Sequence, residues 1–165
     1  MADGKFTAAS AWNKIRNAVP NVFWADLVWY KGHSPSYAFI MWMVCKKCIV
    51  TKDKLWEWGL VNEDTCVLCN SHGESVENIF FSCPYSATIW TELLAWASIL
   101  LSPSDWDAEL RWAAVFFKCK NFRCYLLKLV MSAVIYHLWE ERNCRVFSKK
   151  QRKVAGLIKV VQGNP

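Results

Sequence analysis

Cys66 and Cys69, with Val67 and Leu68 between them and Cys83 following, constrain this chain more than any other feature. Two thiols at C-x-x-C spacing can turn toward one metal ion, the usual knuckle geometry for zinc. Spacing alone also fits ordinary buried thiols, because a chain with eight cysteines produces such pairs by chance. Cys45-Lys46-Lys47-Cys48 is a second pair of this kind. A redox reading of either pair lacks the βαβ context it needs. Between Met1 and Val19, Lys5, Asn13, Lys14 and Arg16 interrupt any hydrophobic region of a secretory signal. The expected setting is therefore intracellular, nuclear or cytoplasmic. There the cysteines should be reduced thiols or metal ligands, not disulfides.

What surrounds the cysteines is a core, not a disordered tail. Hydrophobic residues make up 54% of the 165, and eleven residues are Trp, so the chain must collapse. Indole is rarely buried completely, so some rings should meet a partner or a second copy of the chain. The most apolar stretch, Cys124 to Trp139, is broken by Lys128 and is shorter than the ~18–20 residues a bilayer requires, so no membrane span is expected.

The punctuation is mostly helical. Thr7 can cap a helix to about Val19, which Pro20 ends. Phe23 to Tyr30 fits a strand or a short helix. Lys31 to Pro35 reads as a turn, and Tyr37 to Cys45, apolar on every side, as a buried helix. Thr51 is an N-cap, with Asp53 in the first turn and Gly59 at the stop. Glu63 to Gly73 is loop. Pro84 opens a helix to about Ile99, whose face at Ile89, Leu93 and Leu94 is expected to pack on the helix at 37–45. Ser102 to Asp105 starts another helix, and helices near 105–118 and 122–147 follow. Lys149 to Val161 is a basic, weakly amphipathic end. The fold class is mostly α: a small helical domain with a loop-borne, zinc-knuckle-like cysteine site and a helical C-terminal extension. The one boundary lies near Leu101 to Ser104.

Charge divides the chain. Residues 1–104 carry 8 Lys+Arg against 9 Asp+Glu, and residues 105–165 carry 12 against 5, so the net charges are −1 and +7. Lys149, Lys150, Arg152 and Lys153 would form a phosphate-binding strip or import signal, or else a solvated helix end.

Around the cysteines, many anchors fall in register. Trp29 and Ser36-Tyr37-Ala38-Phe39-Ile40-Met41-Trp42 are followed by Val50 to Leu55, Trp58-Gly59, Cys66-x-x-Cys69 and Glu74-Ser75-Val76-Glu77. Ile79-Phe80-Phe81, Cys83-Pro84 and Trp90 close the series. The order resembles the zinc-binding module that follows the reverse transcriptase in plant LINE-type (non-LTR) retrotransposons. The resemblance covers about residues 6–98, leaving 99–165 as the helical extension. Ile135 to Asn143 looks like the helical segment that often follows the module.

That resemblance implies zinc on Cys66, Cys69 and Cys83, with a fourth ligand five residues before Cys83. Asn78 stands where the family has His. A neutral amide oxygen is a poor zinc donor beside thiolates, so the site is expected to be weakened or lost. His72, three residues after Cys69, is the substitute candidate, with a solvated surface His as the plainer reading. Trp139-Glu140-Glu141-Arg142-Asn143 reads as a helix surface with an ordinary charge pair. No Tyr-x-Asp-Asp pair, four-carboxylate set, Gly-rich phosphate loop or Ser elbow is present, so no enzymatic activity is expected. The resemblance thus implies a non-catalytic, retrotransposon-derived module associated with nucleic acid. The alternative is a metal-free protein-interaction or self-associating helical module.

Overall fold

A computed structural model describes residues 22–99, 106–118 and 121–163. The expected helix at 7–19 and the helix start at Ser102 to Asp105 lie outside the described residues. Seven α-helices are described: α1 Ala25–Val28, α2 Pro35–Cys45, α3 Lys52–Glu57, α4 Pro84–Trp96, α5 Trp106–Phe116, α6 Phe122–Asn143 and α7 Val154–Val161. Two π-helical turns, Asn78–Ser82 and Cys144–Ser148, precede α4 and extend α6. No strand occurs among the described residues; Thr65 and Gly73 form a single antiparallel bridge. No helix is long and apolar enough to cross a membrane among the described residues.

The long helix α6 is the axis of the fold. It packs on α1, α2, α7 and the Asn78–Ser82 turn. Its stripe Met131, Val134, Ile135 and Leu138 is buried, as three- and four-residue spacing requires for one face. Buried side chains from both sides of residue 98 join one apolar cluster. Phe81 stacks on Trp90 with ring centres 5.1 Å apart, and both Phe80 and Phe81 lie against Trp106.

The π turn explains how Asn78, Ile79, Phe80 and Phe81 can all be buried in succession. A wider helical turn redirects consecutive side chains, but it frees carbonyls that need new donors. The Cys83 N–H closes the turn on the Asn78 carbonyl at 2.8 Å. From α4, Ser86 Oγ donates to the Ile79 carbonyl and Trp90 Nε1 to the Phe80 carbonyl at 2.7 Å. Pro84 sits at the start of α4, where a missing N–H costs nothing.

Of the two readings of Phe23 to Tyr30, the short helix is the one found, as α1. Several other expectations need correction. The helix at 35–45 is not buried all round: Ala38, Met41 and Val44 are, but Phe39 is 52% exposed. Uniform hydrophobicity gives no direction, and neighbours on one side decide the face. Helix α4 does bury Leu93, but it packs chiefly on the π turn and α7, while α2 takes the α6 face. Thr51 occupies the N-cap of α3, yet its hydroxyl bonds the Asp53 carboxylate. The acceptor for the Lys52 N–H is Glu74 Oε1 at 2.9 Å.

Candidate metal centre

Local backbone chemistry builds the knuckle. Around the Thr65–Gly73 bridge, the Cys66 N–H donates to the His72 carbonyl at 2.7 Å. The Asn70 N–H closes back on the Cys66 carbonyl at 2.8 Å. Asn70 takes a left-handed φ of 54°, which Asn tolerates better than most residues. Cys83 arrives separately, at the N-cap of α4 just after the π turn.

These two segments bring Cys66, Cys69 and Cys83 together, with all three sulfurs within 4.8 Å of one another. Zinc–sulfur bonds of about 2.3 Å in a tetrahedral site place sulfurs roughly 4 Å apart. No other cluster of three or more His, Cys, Asp or Glu suited to a metal occurs among the described residues. Cys66 and Cys83 are buried, and Cys69 forms the half-open side.

The thiols are electrostatically unequal. A hydrogen bond from Cys66 holds the Cys83 thiol below its ordinary value, against the opposing effect of burial. The Ser86 and Tyr85 N–H groups at the start of α4 help, as helix N-termini do for thiolates. Cys66 is pushed up correspondingly, by that same bond and by burial. At Cys69 burial raises the pKa, but hydrogen bonds from Ser71 and His72 outweigh it and bring it to about 6. One thiolate-prone sulfur thus sits beside a shared pair, a donor set that suits a soft divalent ion.

The fourth position separates the two candidates. His72 Nδ1 lies 3.9 Å from Cys69 Sγ and 3.1 Å from Ser71 Oγ, and His72 is exposed outside the three-sulfur group. Asn78 is buried, and its Oδ1 has no hydrogen-bond partner. Such an orphan acceptor costs about 1–3 kcal/mol, so Asn78 is a buried polar group left unanswered. Three thiols fit zinc, and His72 does not join their group.

The loop is clamped from α6 and its continuation. Arg145 Nη1 donates to the Val67 and Leu68 carbonyls, inside the C-x-x-C pair, at 3.1 and 3.0 Å. Its Nε bonds Glu141 Oε1 at 2.7 Å, and its guanidinium lies 4.6 Å over the Tyr85 ring. Arg142 donates through Nε and Nη2 to Glu74 Oε1, at 3.1 and 2.6 Å. Glu74, Glu141 and Arg142 are all buried, so the exposed charge pair read at Glu140 to Asn143 is overturned. A signal was available: residues 138, 141, 142 and 145 continue the three–four spacing of the buried α6 face.

The basic end divides. Lys149, Lys150 and Lys153 are exposed and make no ion pair with described residues. Arg152 turns inward: Nη1 donates to Glu140 Oε2 at 2.9 Å, and its N–H to Glu141 Oε1 at 2.8 Å. Cys45, Cys48 and Cys144 are free thiols outside the metal group. Cys124 is disulfide-bonded, contrary to the expectation of reduced cysteines throughout.

Residues 6–90, just over half the chain, match the family described as zinc-binding in reverse transcriptase. No curated protein and no solved structure matches the chain.

Proposed function

The chain belongs to the reverse-transcriptase zinc-binding family, and we propose that it is a non-catalytic module of plant LINE-type retrotransposon origin that associates with nucleic acid. The supporting observation is the convergence of Cys66, Cys69 and Cys83 under the Arg145 clamp. Zinc bound there supplies folding free energy, because an unfolded chain has no assembled site. Cys66, Cys69 and Cys83 hold it, and His72 would reach it only if the Ser71–Gly73 turn folds inward. The non-catalytic reading rests on the missing polymerase and nuclease carboxylates noted above. The module works inside the cell, in the nucleus or the cytoplasm.

Lys149, Lys150 and Lys153 supply the exposed charge for a phosphate backbone, within a region of net charge +7 over residues 105–165. The test is binding of single-stranded RNA and DNA by the zinc-loaded chain across a salt series. Replacing all three lysines by Gln should lower the slope of log affinity on log salt by about 2. Absence of salt-sensitive binding overturns this reading.

A second reading has its own support. Trp56, Trp58 and Leu60, at the end of α3 and in the turn after it, are 58%, 59% and 68% exposed. A cluster of open apolar side chains fits a protein partner or a second copy. Concentration-dependent oligomers by sedimentation, without nucleic-acid binding, would favour it.

A further inference from the structure

We propose that the cleft between the segment after α1 and the start of α6 binds a nucleotide unit, an aromatic base carrying a phosphate. This deepens the nucleic-acid reading above but uses a different surface from Lys149 to Lys153. The cleft encloses about 430 Å³, within the roughly 300–1,000 Å³ range of small-molecule sites. Among the described residues, three ammonium groups line it, Lys31, Lys118 and Lys128, against the one carboxylate of Asp26. None of the three forms an ion pair with a described residue. Lys128 is held in place, donating to the Asp26 carbonyl at 3.1 Å and lying 5.7 Å over the Tyr30 ring. One of its three donors is used, and two are free for an anion.

The floor of the cleft is the start of α6. Asn121 caps that helix, accepting from the Cys124 N–H at 2.8 Å. The helix dipole there adds to the attraction for phosphate. The rim is fixed: Tyr125 donates through its hydroxyl to the Gly32 carbonyl at 3.2 Å. Gly32 has φ +83°, and a Cβ there would stand 3.2 Å from that hydroxyl, so the position favours glycine on both counts.

The aromatic side selects the ligand. Trp29 lines the cleft with half its surface open, and its remaining ring contact is edge-on, with His33 at 5.6 Å. Lysines alone would take any anion, and an open indole alone any apolar group. A nucleotide presents a π face and a phosphate together, matching Trp29 and the lysine trio in one unit. That unit could come from a free mononucleotide or from a single strand.

The test follows the Trp29 indole N–H and the backbone amides of residues 118–128 by NMR. The probes are adenosine monophosphate, inorganic phosphate, a short single-stranded RNA and an acidic peptide. The nucleotide and the RNA should shift Trp29 and the start of α6. Phosphate should act on the start of α6 alone. Trp29→Leu should weaken nucleotide binding about tenfold and leave phosphate unchanged, while Lys118→Gln should weaken both. Melting curves check that each variant is folded, and two independent surface variants guard against one failing. Nucleotide binding in a chain that binds no RNA upholds the cleft and overturns the reading above. RNA binding abolished by the Lys149, Lys150 and Lys153 replacements, with Trp29→Leu and Lys118→Gln silent, upholds that reading and overturns the cleft. An acidic peptide shifting the same resonances with equal affinity also overturns it.

Discussion

The cysteine loop and helix α4 hold their shape by different means. Around α4, shape comes from apolar contact: Ile89 and Leu93 are fully buried, and Trp90 stacks on Phe81. The loop has no regular structure beyond one bridge. Its Cys66, Leu68 and Val76 enter the shared apolar cluster, and charges from 68 to 78 residues away brace it further, Arg142 on Glu74 and Arg145 on the Val67 and Leu68 carbonyls. A loop with few apolar anchors can be held by donors on a rigid helix where each buried carboxylate meets a cation. The region that matches the family, residues 6–90, is thus braced by arginines that lie beyond it.

The largest effect should come from the buried ion pair. Arg142→Met leaves the Glu74 carboxylate buried without its cation, at a cost of roughly 3–5 kcal/mol in urea unfolding. Adding Glu74→Gln should recover much of that loss, although the Lys52 N–H then loses a charged acceptor. A single substitution costing under about 1 kcal/mol would mean that the loop does not depend on this charge.

On the apolar side, Leu93→Ala should cost about 2–5 kcal/mol, because Leu93 is 1% exposed. The loss should be the same with and without zinc. A zinc-dependent loss would erase the distinction between the two regions.

Arg145→Lys sharpens the comparison from the loop side. It keeps the charge beside Glu141, but a single ammonium cannot bond the two carbonyls and Glu141 at once, as Nη1 and Nε of the guanidinium do. Zinc affinity should fall about tenfold, in the range for partners that orient metal ligands. Stability of the metal-free chain should change little. Isothermal titration with a competing chelator reads the first effect and thermal melting the second.

The smallest effect concerns Glu140. Burial raises its pKa, but hydrogen bonds from Arg152 and His137 outweigh this and hold it below its ordinary value. A depressed folded value means that its contribution is complete above the unfolded pKa and lost as pH falls through the folded one. Glu140→Gln should therefore flatten the fall in melting temperature as pH drops below the ordinary carboxylate range and change little at pH 7. The carboxylate is 38% exposed, so solvent screening keeps the difference small.

How far the sequence could be read follows the same division. Helices with their own punctuation were legible: Pro84 announces α4, and apolar spacing announces α6. The cysteine trio was legible because spacing and register are local properties. The orientation of α2 was not, since a helix apolar all round carries no preferred face. Neither was the π turn, which depends on Ser86 and Trp90 meeting carbonyls behind them. The Glu74–Arg142 pair joins residues 68 apart, and no local pattern marks such a partner. The basic strip was half legible: composition located it, but only packing shows Arg152 turned toward Glu140.

Whether Cys66, Cys69 and Cys83 hold zinc is read most directly from the metal content of the reduced, purified chain. Native mass spectrometry at fixed zinc and pH should find one zinc per chain, lost in Cys83→Ser and in Cys66→Ser. Asn78→His should bind it more tightly than the parent and raise the melting temperature in the presence of zinc, by mass action on the folded state. Should His72 supply the fourth donor, His72→Ala and not Asn78→His would carry the large change in affinity. A parent chain with no zinc above background, or a metal content unchanged by Cys83→Ser, would contradict the account.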